Sequence, residues 1–102
     1  MNEEKILQAV CDYFHEDITK VRSKCQNANL VKMRHISIFF IDKYLDLPDR
    51  QVGKLFAGRS YKSAGLNHAT VINARRVVLN SMVTDRFYAS NIDALDKIIS
   101  AL

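Results

Sequence analysis

The sequence predicts an all-α domain of five or six helices built around a helix-turn-helix. Three observations carry this. The 102 residues include only three Gly and one Pro, so the chain is poor in turns. Apolar residues recur at i, i+3, i+4 and i+7 along most of its length, and no segment alternates convincingly as a strand. A short helical pattern and a longer one flank a glycine-containing connector past the middle of the chain.

The elements follow in order. From Glu3 to about His15, residues Ile6, Leu7, Val10, Cys11, Tyr13 and Phe14 make one apolar stripe, and the acidic first turn suits the helix dipole. Residues 17–24 predict a short second helix capped by Glu16 or Asp17, with Ile18 and Val21 inward. Cys25 to Asn29 has no periodicity and reads as a polar loop. From Leu30 to Tyr44 the helical period returns with apolar residues on most faces, which predicts the central, most buried helix. Asp46-Leu47-Pro48-Asp49 is a break and restart, because Pro suits the first helical position and Asp the first turn. Asp49 to Phe56 is then a short helix burying Val52, Leu55 and Phe56. Ala57 to Leu66 is the connector, and Asn67 caps a helix that runs to about Val83. Thr84 and Asp85 restart a last helix whose inner face is Phe87, Ile92, Leu95, Ile98, Ile99 and Leu102. Phe39, Phe40, Tyr44 and Phe56 fall on buried faces and are expected in the core.

This length fits one domain, residues 1–102, of ordinary globular composition with 48% hydrophobic and 25% charged residues. The formal net charge is +4, and it is unevenly placed. Residues 1–19 carry −4, residues 20–76 carry +9 and residues 77–102 carry −1. A basic centre between acidic ends attracts polyanions; a merely solvated surface is the other reading. Two cysteines make no disulfide framework, and no signal peptide or membrane-length apolar run is visible, so a cytoplasmic protein with reduced thiols is expected.

The longer helix of the pair begins with small polar side chains, Asn67, His68 and Thr70, suited to base edges. Its next turns carry Arg75 and Arg76, suited to phosphates, and Lys54, Arg59 and Lys62 add further basic contacts. Tyr61, in the connector, either stacks on a base or packs over the turn. Cys11 and His15 are spaced i, i+4, but no full ligand set accompanies them, so no metal or other cofactor is expected. Neither a convergent carboxylate pair nor an activated nucleophile can be assembled, and no phosphate-loop signature occurs: the Lys in residues 58–65 lacks the Gly that must precede it. An enzyme is not expected.

Three stretches carry a resemblance: Leu30 to Ile41, Gln51 to Arg59, and Asn67 to Ala74. Together they resemble the C-terminal DNA-binding domain of the bacterial replication initiator family DnaA, of the Trp-repressor-like helix-turn-helix superfamily. The family signature F-G-G-R-D-H-T-T-V-L-H-A is similar to Phe56-Ala57-Gly58-Arg59 followed by Asn67 to Ala74. The resemblance implies a recognition helix, residues 67–83, in the major groove of double-stranded DNA. Arg34 matches a family arginine, with phosphate contact or an internal pairing as its two readings. His68 and Thr70 match the signature. Asn67 replaces an Asp, exchanging an acceptor for cytosine N4 for an amide suited to adenine, and Ala69 replaces a Thr, keeping an apolar contact for a thymine methyl.

The departures matter as much. The family's basic minor-groove loop falls at Cys25–Asn29, where Gln26 and Ala28 replace arginines, with Arg22 and Lys24 nearby but at other positions. Another basic family position is Asp42, and seven extra residues, Ser60–Leu66, enlarge the turn. The family's own DNA box is therefore not the expected preferred site. The leading expectation is a stand-alone, sequence-specific DNA-binding protein without an ATPase, a monomer or weak dimer. The alternative is a helical adaptor that turns the same surface to a protein partner.

Overall fold

The computed structural model describes residues 2–23, 27–56 and 68–102. These form six α-helices, and no strand occurs among them. The connector, with the insertion Ser60–Leu66, and Cys25 and Gln26 of the expected loop lie outside the described residues.

Helix α1, Glu3–Tyr13, starts at Asn2, whose side chain accepts from the Lys5 N–H at 2.9 Å. It ends two residues earlier than its apolar pattern suggests. His15 takes φ 57°, and the Glu16 N–H reaches back to the Cys11 carbonyl at 2.9 Å, a left-handed closure that usually employs glycine. Helix α2, Ile18–Arg22, is capped by Asp17, which accepts from the Thr19 N–H at 2.9 Å. Helix α3, Ala28–Leu45, begins two residues before the expected Leu30, because the Asn27 side chain caps it through the Asn29 N–H at 2.9 Å. Asp46, at φ 49°, closes its far end.

Helix α4, Asp49–Gly53, follows Pro48. It is shorter than the expected span to Phe56: residues 54–56 form a tighter turn, with the Leu55 N–H on the Val52 carbonyl at 3.1 Å and the Phe56 N–H on the Gly53 carbonyl at 3.3 Å. Helix α5, His68–Thr84, and helix α6, Arg86–Ser100, meet at the single residue Asp85. Its carboxylate accepts from the Phe87 and Tyr88 N–H groups at 2.9 and 3.1 Å.

As its sequence predicts, α3 is the centre. It packs against α5, α1 and α2, while α5 also packs on α4 and α6, and α1 on α6. Ile36, Ile38, Phe40 and Ile41 of α3 are fully buried among Ile6, Leu7, Val10, Val52, Phe56, Val71 and Val78. Phe39 and Tyr44 sit at the core's edge rather than inside it. Polar ties hold the margins. The Tyr13 hydroxyl donates to Asn91 Oδ1 at 2.7 Å, joining α1 to α6, and the Tyr44 hydroxyl and Lys43 Nζ both donate to Asp96, joining α3 to α6.

The expected inner face of α6 needs correction. Ile92, Leu95 and Ile99 are buried, but Phe87, Ile98 and Leu102 are exposed. Its buried stripe is narrow, set by what α1 and α5 cover. Phe87 lies in the first turn beyond the Asp85 corner, and Ile98 and Leu102 edge an open groove beside Ala9 and Tyr13 of α1.

Candidate nucleic-acid interface

Helices α4 and α5 pack against each other, as the two helices of a helix-turn-helix do. Arg22, at the end of α2, donates from Nε to the Leu55 carbonyl at 2.8 Å and so fastens α2 to the turn after α4. Sequence comparison set Arg22 aside because it did not align with a family arginine; the structure puts it against that turn. Lys54, in the same turn, is exposed.

Helix α5 divides into two faces. Val71, Ala74 and Val78 are buried, whereas Ile72, Asn73, Arg76, Leu79, Asn80 and Val83 are exposed. Thr70 and Arg75 lie on the boundaries between the two. The 17 residues of α5 include no Asp or Glu, so nothing on its outer face repels a phosphate.

The two adjacent arginines of α5 are not equivalent. Arg75 Nη1 lies 3.0 Å from Asp42 Oδ1 of α3, an ion pair whose arginine side chain keeps 22% of its exposure. Asp42 stands where the resemblance leads one to expect a basic residue; here it anchors the neighbouring helix instead. Arg76, one residue on, points outward.

Of the remaining candidates, Arg34 is in the interior. It is 5% exposed and donates from Nε to the Val21 carbonyl at 2.6 Å, tying α2 to α3. Of its two readings, this geometry supports the internal one, because a phosphate has no route to a side chain enclosed between two helices. Arg59, Lys62, Tyr61 and Asn67 lie outside the described residues, as do the side chains of His68 and Ala69.

Other chemistry finds little footing. Burial, reinforced by the Asp12, Glu16 and Asp17 carboxylates, pushes the Cys11 thiol up to about 11, so it stays protonated. Among the described residues no three His, Cys, Asp or Glu side chains gather as a metal site. None of the described helices is long and apolar enough to cross a membrane.

The family model for the bacterial dnaA protein helix-turn-helix matches residues 3–78. The chain belongs to that family. The match takes in α1 to α4 and α5 as far as Val78, including Asn73, Arg75 and Arg76. Chromosomal replication initiator protein DnaA of Flavobacterium psychrophilum is 28% identical over 95 residues, which are 93% of this chain and 18% of that protein. The protein of the same name from Bdellovibrio bacteriovorus is 30% identical over 94 residues, 92% of this chain and 18% of its own length. That of the Wolbachia of Brugia malayi is 32% identical over 95 residues, 91% and 19% respectively. The chain thus spans roughly a fifth of the length of these DnaA relatives.

Proposed function

We propose that this chain is a non-catalytic module that binds double-stranded DNA in the cytoplasm, with residues 1–102 acting as one unit. The N-terminal turns of α5 enter the major groove, and α4 with its following turn lies along the phosphate backbone. Asn67, His68, Ala69 and Thr70 meet base edges. Lys54, Arg59, Lys62 and Arg76 meet phosphates, and Arg75, paired with Asp42, sets the pose of α5. No cofactor takes part.

The observation that carries this reading is the family match across both helices of the helix-turn-helix. The carboxylate-free outer face of α5, with Arg76 exposed on it, supports the same surface. The match also favours DNA over the adaptor reading.

Fluorescence anisotropy on a random duplex and on an A/T-rich duplex, at several salt concentrations, tests it. Four phosphate contacts give a slope of log K against log salt of about −3.6, since each contributes about −0.9. Absence of binding at low salt overturns the reading.

A further inference from the structure

Within that DNA reading, the outer face of α5 points to a further base-reading residue, at a position where the family signature carries a His. We infer that Asn73 is a specificity determinant and recognises an adenine in the major groove.

Asn73 is exposed, and its side chain makes no hydrogen bond to any described residue. It sits well inside α5, where an Asn caps nothing and costs roughly 0.5 kcal/mol of helix propensity relative to Ala. Helix stability therefore gives no reason for an amide at this position. Reach does. Asn73 is five residues past His68, about 7.5 Å along the axis at about 1.5 Å per residue, or roughly two base-pair steps. It is one turn beyond Ala69, on the same side of the helix, and still within the N-terminal half that contacts base edges in a recognition helix.

Its neighbours complete the case. Arg76 follows one turn on, exposed and suited to the backbone phosphate that fixes register. Arg75, two residues on, lies round the helix from Asn73 and is drawn to Asp42. An Asn side chain offers the paired donor and acceptor that adenine N7 and N6 require, and no other base edge in the major groove matches both.

Selection from a random duplex library with the unaltered chain, Asn73→Ala and Asn73→Asp tests this. The unaltered chain selects an A·T pair at one position. Asn73→Ala lowers discrimination there by roughly 5- to 150-fold and leaves affinity for random duplex unchanged. Asn73→Asp moves the preference at that one position to C·G, because a carboxylate accepts from cytosine N4. A variant whose base preferences match the parent's, or whose affinity falls equally on every sequence, overturns the inference and leaves the DNA reading standing. An unaltered chain that binds no duplex at low salt overturns both.

Discussion

Arg34, Arg75 and Arg76 show how much the position of one guanidinium decides. All three are basic residues in the family-matched segment, yet one is buried against a backbone carbonyl, one is paired across two helices and one faces solvent. The burial of Arg34 carries a clear consequence. Arg34→Ala leaves the Val21 carbonyl without its donor and a gap between α2 and α3, so urea denaturation should show a loss of about 2–3 kcal/mol. A purely DNA-facing arginine would show almost none. Asp96 supplies a pH-dependent counterpart. The Tyr44 hydroxyl and then Lys43 hold its carboxyl below the ordinary value of 3.8. A carboxyl lowered on folding stabilises above its unfolded value, and the contribution is lost as pH falls through the folded one. Asp96→Asn should therefore be less stable than the parent near neutral pH, by less than about 1 kcal/mol because the carboxylate is exposed and screened. The two stability curves should converge below pH 3.8; a gap that persists in acid assigns the effect to packing.

At the scale of elements, the ends of helices were the most legible part of the sequence where a capping side chain writes them. Asp17 and Asp85 cap the helices they precede, as expected, because an Asx side chain bonding the next turn is a local property. Asn27 escaped notice because the polar run around it masks the cap, and α3 starts earlier for that reason. The stop of α1 at His15 has no glycine to announce it. The exposed Phe87 and Ile98 belong to a different kind of miss: periodicity reports which residues share a face, and only the neighbouring helices decide how wide a face is covered. The Asp85 corner is the element most exposed to a single change. With one residue between α5 and α6, its carboxylate satisfies two N–H groups that no neighbour can reach. Asp85→Ala should cost about 1 kcal/mol in thermal or urea unfolding, and Asp85→Ser should recover most of it. Equal losses for both variants would mean that the cap is not what holds the corner.

For the whole molecule, the central helix, the helix order and the family were readable from periodicity and the short signature, while the working face was readable only in part. Which side of α5 faces out depends on how α3 and α4 cover it, and so Asn73 and the division between Arg75 and Arg76 emerge from packing. Charge placement has the same character: the +9 of residues 20–76 is an upper bound on what a polyanion can meet, because Arg34, Arg75 and Lys43 are engaged inside the protein's own framework. Binding should consequently track a few exposed cations. The double variant Lys54→Ala with Arg76→Ala should reduce the magnitude of the log K against log salt slope by about 1.8, two phosphate contacts at about 0.9 each, on random and selected duplexes alike. Lys97→Ala, in the last turn of α6, removes one unit of charge and should leave the slope unchanged. If Lys97 lowers the slope as much as Lys54 or Arg76 does, the chain attracts DNA through overall charge, and the α4–α5 face has no special part in it.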